Sequence, residues 1–270
     1  LHGRVNEAAF MIQDRSAADM RAPEKTLLKF GQPYWLAFLS RDILDSGELE
    51  DRVNREQTRG ITSNPAIFAK AIRKSDAYTE EIERLQNEGR RTGEIYDRLM
   101  IEDIRSACSV LRPIHDGSGR TDGFVSLEVD PRLARHARPT IDEAIRLHRA
   151  VDRPNCMIKI PGTPEGLDAI EESIFHGINV NITLLFSVER YREVQMRYRR
   201  AIERRIDDGL PVDTIFSVAS FFLSRIDVLV DELLSQIDCP EPYRDADTPA
   251  DLPPAGTVSQ RSVIVSPGRG

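Results

Sequence analysis

The sequence has few cysteines, few lysines and no long apolar run. Its three cysteines, Cys108, Cys156 and Cys239, are far apart and lack metal-ligand spacing, so we expect ordinary reduced thiols. No apolar run approaches the roughly 18 residues that would span a bilayer, and the first residues lack the charged-then-apolar order of a signal peptide. These absences predict a protein with no membrane segment and a cytoplasmic location.

An excess of positive charge is also absent. The formal net charge is −7, which disfavours nucleic acid as a partner because binding to its phosphates requires clustered Lys and Arg. Hydrophobic residues make up 40% and charged residues 30% of the chain, a composition typical of a globular protein with a sizeable core. A length of 270 residues suits one large α/β barrel or two smaller domains.

Lysine is the scarce basic residue, since five lysines among 37 basic residues leave 32 arginines. After position 74 the sequence has one lysine, Lys159, which lies in an apolar run with Met157, Ile158 and Ile160. An exposed charge could be Arg, whereas a Schiff base requires a primary amine that can lose its proton. Lys159 is therefore a candidate nucleophile. An edge-strand lysine or a compositional accident is the alternative interpretation.

Short apolar segments alternate with longer amphipathic ones. The predicted strands are 34–39, 59–63, 123–129, 156–160, 179–186 and 214–222. The predicted helices are 41–57, 65–74, 76–111, 139–151, 164–176, 187–208 and 224–237. Thr163-Pro164 and Ser187 give helix-start signals. This alternation predicts the α/β class with a parallel sheet, and six such units fit a (β/α)8 TIM barrel. No glycine-rich phosphate-loop pattern follows a strand, which disfavours dinucleotide and P-loop folds.

Two segments fall outside the barrel pattern, which we assign to residues 26–237. Residues 1–25 are polar and mixed, and could form a short helix or an unordered leader. Residues 238–270 contain six prolines, a density that prevents regular helices, so we expect a mostly disordered tail. Residues 262–265 are its one strand-like piece.

Several predicted strands carry polar residues on one face. Side chains alternate across a strand, so one parity faces the helices and the other faces the lumen of a barrel. In 179–186, Ile182, Leu184 and Phe186 form the predicted helix-facing set. The polar side chains predicted to face the lumen are Asn64, Glu128, Lys159, Asn181 and Thr183. A single polar residue in a strand is usually a satisfied core group. Five of them near strand carboxyl ends instead indicate an active site.

Six stretches of the sequence resemble the transaldolase family, in its longer bacterial branch. They are Trp35-Leu36 with 39–42, then 60–68, 125–131, 158–163, 179–187 and 218–225. The stretches follow the family's order over most of the chain. The resemblance implies a (β/α)8 barrel that transfers a dihydroxyacetone unit between sugar phosphates in the pentose phosphate pathway. It implies no metal and no organic cofactor.

The resemblance also assigns roles to residues. It implies that Lys159 forms an imine with the ketose carbonyl, and that Glu128 and Thr183 hold a water that relays protons. The residues that would bind substrate hydroxyls are Asn64, Asn181 and Ser220. Arg225 would help to hold the phosphate.

The sequence departs from the family at two places. Ala37 stands where the family has an aspartate on its first strand, which moves the proton of the substrate's C4 hydroxyl. Residues 238–270 contain neither of the family's two last strands, so we expect about six βα units. The alternatives are a homologue that binds sugar phosphate without turnover, and a lyase like fructose 6-phosphate aldolase.

Overall fold

The computed structural model describes residues 32–55, 58–236 and 262–264. In these residues seven strands form one sheet in chain order. The strands are β1 Tyr34–Leu36, β2 Thr58–Thr62, β3 Phe124–Glu128, β4 Cys156–Pro161, β5 Val180–Leu185, β6 Ser217–Phe222 and β7 Ser262–Ile264. Strands β1 to β6 are parallel and curl into a half-barrel with the helices outside. This confirms the predicted barrel family and its six βα units.

Between one and three helices follow each parallel strand. The helices are α1 Arg41–Asp45, α2 Glu48–Arg55, α3 Pro65–Lys74, α4 Thr79–Asn87, α5 Thr92–Gly117, α6 Ala137–Val151, α7 Pro164–Phe175, α8 Val188–Asp207 and α9 Leu223–Ser235, with short 3-10 turns at Asp76–Tyr78 and Pro131–Leu133. The predicted caps are confirmed, because Thr163 accepts a hydrogen bond from the Gly166 amide and Ser187 accepts one from the Arg190 amide. None of the helices described is long and apolar enough to cross a membrane.

Two predicted helices are wrong as single elements. The predicted helix 76–111 ends its first part at Asn87, where Gly89 adopts a φ of +76° and the Arg90 amide donates to the Leu85 carbonyl at 3.1 Å. This is the left-handed glycine termination that satisfies the last carbonyls of a helix. The predicted helix 41–57 likewise divides at Gly47, which has a φ of +75°. Both glycines interrupt an otherwise helical pattern.

The main core lies between the sheet and the helices. The strand residues in this core are every second residue of each strand, so they lie on one face of the sheet. Buried examples are Val125, Leu127, Ile158, Ile160, Val180 and Ile182. Each fully buried aliphatic side chain contributes roughly 1.5–3 kcal/mol relative to an exposed one. The opposite parity faces the concave side, which corresponds to the lumen of a complete barrel.

The base of the concave side is apolar. Its buried cluster consists of Phe124, Met157 and Val218, with Trp35 and Phe216 packed against it. A Cβ atom added to Gly60 would lie 2.3 Å from the Trp35 indole, so a larger residue there would displace the ring. Phe124, Met157 and Val218 each stand two residues before a polar residue on the same strand. Polar groups therefore follow this base toward the carboxyl ends of the strands.

Strand β5 breaks the predicted alternation. Leu184 adopts a left-handed φ of +60°, and the register with β6 shifts between Ile182 and Leu185. Leu185 is consequently buried in the core, whereas Leu184 and Phe186 are 40% and 46% exposed. The prediction that Leu184 and Phe186 face the helices is wrong. A left-handed conformation costs a leucine about 1–2 kcal/mol, so the surrounding fold must impose it.

A buried ion pair fixes the segment that follows β1. The Arg41 guanidinium lies 2.9 Å from Asp103 and 2.6 Å from Glu81, and the Tyr78 hydroxyl donates to Asp103 at 2.7 Å. Burial raises the pKa of Asp103, although the bonds from Tyr78 and Arg41 act in the opposite direction. Because Arg41 opens α1, this cluster connects the end of β1 to α5.

The predicted leader 1–25 and most of the predicted tail 238–270 lie outside the described residues. Within that tail, Ser262–Ile264 forms β7, in agreement with the predicted strand-like piece at 262–265. Strand β7 runs antiparallel to β6, with Ile264 opposite Ser220 and Ser262 opposite Phe222. It covers the edge of β6 next to the polar end of the sheet.

Candidate active site

Polar side chains meet at one level of the sheet near its carboxyl edge. The ladder pairs Glu128 with Lys159, and Lys159 with Asn181, across β3, β4 and β5. Thr183 lies opposite Pro161. It is two residues beyond Asn181 on β5 and therefore also on the concave face. The carboxyl ends of parallel strands are where barrel enzymes hold their catalytic residues. Four of the predicted site residues therefore lie on three neighbouring strands.

Lys159 is buried between two oxygen atoms. Its side chain is 9% exposed, and Nζ lies 3.1 Å from Glu128 Oε2. Nζ also donates to the Ser63 carbonyl at 3.2 Å. Oε2 makes no well-aligned hydrogen bond with the described residues, so its contact with Nζ is an ion pair without hydrogen-bond geometry. The amine is thus held in one place, with a carboxylate beside it that can exchange protons.

Ser63 is a supporting residue that sequence reasoning missed. Its Oγ donates to the Ser126 carbonyl at 3.0 Å, which ties the end of β2 to β3. The contact with Lys159 uses its backbone carbonyl, and such a contact leaves no signature in side-chain pattern. The available sequence signal for Ser63 was its position within 60–68, one of the stretches that resemble the transaldolase family.

Asn181 links three strands through its side-chain amide. Its Nδ2 donates to Ser126 Oγ at 2.9 Å, and its Oδ1 accepts from Ser220 Oγ at 2.8 Å. All three side chains are at least nine-tenths buried. The second N–H of Nδ2 is the polar capacity left for a ligand. The structure therefore brings Asn181 and the predicted Ser220 together. Ser126 joins this hydrogen-bonded group. It lies two residues before Glu128 on β3 and therefore on the same face of the sheet, which was the sequence signal for its position.

Several buried polar atoms on the concave side have no partner among the described residues. They include the Trp35 indole nitrogen and the hydroxyls of Thr62 and Thr183. Most buried polar groups in proteins are hydrogen-bonded, and leaving one unpaired costs roughly 1–3 kcal/mol. These atoms therefore form a polar surface that a hydroxylated ligand could satisfy.

Asn64 lies two residues after the end of β2 and caps helix α3. Its Oδ1 accepts from the Ile67 amide at 2.9 Å, and the side chain is half-buried. One end of the amide is committed to the helix, and Nδ2 remains as a donor. Asn64 follows Ser63, the residue that binds Lys159, so the predicted residue borders the site.

Arg225 lies at the rim, in the first turn of α9. Its Cζ lies 4.5 Å from the centroid of the Phe222 ring, and the rings of Phe222 and Phe186 are stacked with centroids 5.5 Å apart. Arg225 is exposed and five residues beyond Ser220. The structure gives it no direct contact with Lys159. A rim arginine at a helix N-terminus is a favourable place for an anion.

Position 37 carries no acid. Ala37 is exposed and comes directly after β1, at the same carboxyl edge as the polar residues. An alanine can neither accept a proton nor orient a hydroxyl group.

Comparisons with known proteins identify the family. The family model described as transaldolase/fructose-6-phosphate aldolase matches residues 38–252. The chain is 50% identical over 199 residues to transaldolase 2 of Nostoc punctiforme and 48% identical over 206 residues to the transaldolase of Trichodesmium erythraeum. It is 46% identical over 222 residues to the transaldolase of Frankia alni. These matches cover 74%, 76% and 82% of the chain.

The chain spans about half the length of the relatives it matches, namely 52%, 54% and 60% of the three proteins. The family model alone covers more than half of the chain, and its range includes all seven predicted site residues. The chain belongs to the transaldolase/fructose-6-phosphate aldolase family.

Proposed function

We propose that this chain carries transaldolase-type chemistry through a Schiff base on Lys159. The observation that carries the proposal is the buried Lys159 amine at the carboxyl end of β4, held between the Glu128 carboxylate and the Ser63 carbonyl. A primary amine in a water-poor site is the group that condenses with a ketose carbonyl. The names of the family and of the relatives favour the same chemistry.

The reaction follows from the properties of an imine. Neutral Lys159 attacks the ketose carbonyl, and loss of water gives a protonated imine. The imine draws the electron pair of the bond between C3 and C4 as the C4 hydroxyl loses its proton, and an aldehyde leaves. The remaining enamine attacks the aldehyde of a second sugar phosphate, and water then releases the product from Lys159. Glu128 and Thr183 relay protons through a water in these steps.

The substrates in this proposal are sedoheptulose 7-phosphate and glyceraldehyde 3-phosphate, which give erythrose 4-phosphate and fructose 6-phosphate. Asn181, Ser220 and Asn64 bind the substrate hydroxyls, and Arg225 binds the phosphate. Two hydrogen-bond donors support these roles, the second Nδ2 hydrogen of Asn181 and the Nδ2 group of Asn64. We place the reaction in the cytoplasmic pentose phosphate pathway.

Two observations favour alternative functions. Ala37 favours a protein that binds sugar phosphate with little turnover. The family description also includes fructose-6-phosphate aldolase, a lyase that needs no acceptor aldehyde.

A product assay separates these functions. The chain is supplied with fructose 6-phosphate, with and without erythrose 4-phosphate. Free glyceraldehyde 3-phosphate, sedoheptulose 7-phosphate and dihydroxyacetone are measured. A transferase forms sedoheptulose 7-phosphate only when the acceptor is present. Release of free dihydroxyacetone without acceptor indicates the lyase, and binding without either product indicates the non-catalytic homologue.

A further inference from the structure

Phe186 is an aromatic residue in an unusual place. It is 46% exposed at the carboxyl edge of the sheet, immediately after β5. An exposed phenylalanine is not by itself informative. Its ring, however, stacks on Phe222 with an interplanar angle of 20°, and Phe222 ends the neighbouring strand β6. The contact therefore joins the ends of two strands at the mouth of the site.

The left-handed residue Leu184 sets this position. The register shift places Leu185 opposite Phe221 and adds a residue to β5 relative to β6. Without this irregularity, regular alternation along the same residues would direct Phe186 to the helix side of the sheet, as the sequence predicts. Backbone strain of this kind persists only where the surrounding structure imposes it, and it is concentrated at functional sites.

Phe222 in turn contacts Arg225. The guanidinium lies over the Phe222 ring at 4.5 Å, and no carboxylate among residues 32–55 and 58–236 pairs with it. An exposed arginine has many rotamers, and binding an anion would fix one of them at a cost in entropy. An aromatic ring under the planar guanidinium reduces that cost and leaves the N–H groups at its edge available.

We propose that Phe186 is a positioning residue for anion binding by Arg225. Phe186 holds the Phe222 ring, and that ring holds the guanidinium in the orientation that binds a phosphate group. The inference rests on the proposed function only in assigning phosphate to Arg225. It assigns Phe186 no contact with substrate.

The test is a titration of the protein with inorganic phosphate, followed through the Nε–H resonance of Arg225, which Arg225→Lys identifies. Phe186→Ala should weaken phosphate binding by roughly 3- to 10-fold, as expected for loss of one aromatic pair. Phe186→Leu keeps apolar volume without stacking and should weaken binding similarly, whereas Phe186→Tyr should restore it. Met196→Ala, at a residue 57% exposed on α8, is the matched control and should change nothing.

A parallel measurement traps phosphate-free dihydroxyacetone on Lys159 with borohydride, which should be equal in the parent and in Phe186→Ala. Equal phosphate affinities of the parent, Phe186→Ala and Phe186→Leu would overturn the inference, and so would a parent that binds no phosphate. A parallel loss of phosphate binding and trapping would also overturn it, because Phe186 would then support the whole site. If the parent traps no sugar but phosphate binding still depends on Phe186, the proposed function fails and this inference stands.

Discussion

At the scale of single residues, position 37 is where the proposed chemistry lacks a group. A carboxylate there would take the proton from the C4 hydroxyl during bond cleavage, and Ala37 cannot do so. Ala37→Asp should raise turnover at least tenfold, within the roughly 10²–10⁴ range of general base catalysis. Product formation from fructose 6-phosphate and erythrose 4-phosphate measures this. Ala37→Asn is the control, since it adds a polar group of similar size without a base. Equal rates for both variants would contradict the assignment.

The Thr183 hydroxyl is buried without a partner among the described residues. Thr183→Val removes that hydroxyl at nearly constant volume. It should stabilise the fold by about 1 kcal/mol, because an unsatisfied polar group is eliminated, and it should lower turnover. Urea unfolding and the product assay measure the two effects. Ser173→Ala on α7 is a matched control, because Ser173 Oγ is also buried and unpartnered but lies on the helix side. It should affect stability alone. Unchanged turnover in Thr183→Val would remove Thr183 from the proton relay.

The site residues differ in how far the sequence could predict them. Lys159, Glu128, Asn181 and Thr183 were predictable because strand alternation places polar side chains on one face. Ser63 was not, because its contact with Lys159 uses a backbone carbonyl.

At the scale of elements, the strands and most helices followed from apolar periodicity, and the errors have local causes. Two predicted helices divide at Gly47 and Gly89, where a positive φ overrides the surrounding helical pattern. In β5, the left-handed Leu184 has no sequence signal, because leucine is a residue that disfavours that conformation. A conformation imposed by tertiary packing cannot be read from local propensity.

The conformation of Leu184 gives a prediction at this scale. Leu184→Val should destabilise the fold by roughly 1–2 kcal/mol more than Leu184→Gly, because a β-branched side chain is least compatible with a φ of +60°. Urea unfolding measures both changes. Leu223→Val is a control with the same 40% exposure, in helix α9, and should cost under about 1 kcal/mol. A smaller effect at Leu184 than at Leu223 would mean that the strained turn is absent in solution.

At the scale of the whole molecule, the buried His115 and the half-buried His148 link stability to pH. Burial lowers the pKa of both His115 and His148. The unfolded chain therefore takes up protons as pH falls through about 6.5, while the folded chain resists, so stability decreases in that range. The loss ends once pH falls below the lowered folded pKa values. Stability should thus be lower at pH 5.5 than at pH 7.5.

Substitution isolates this histidine effect from that of other groups. The double variant His115→Gln and His148→Gln should show a flatter dependence of unfolding free energy on pH than the parent. The comparison of variant with parent cancels the pH dependence that carboxyl groups contribute. One such group is Asp103, because burial raises its pKa. His176→Gln, at an exposed histidine, is the control and should follow the parent. A double variant that also follows the parent would show that these histidines do not resist protonation in the folded chain.

The central claim is that the amine of Lys159 forms an imine with a ketose. The direct measurement incubates the chain with fructose 6-phosphate, reduces it with borohydride and locates the adduct by peptide mass spectrometry. We predict one adduct, on the peptide that contains Lys159, with none in Lys159→Arg and little when borohydride is added before the sugar. An adduct that persists in Lys159→Arg, or no adduct in a parent chain with a cooperative thermal transition, would contradict the account.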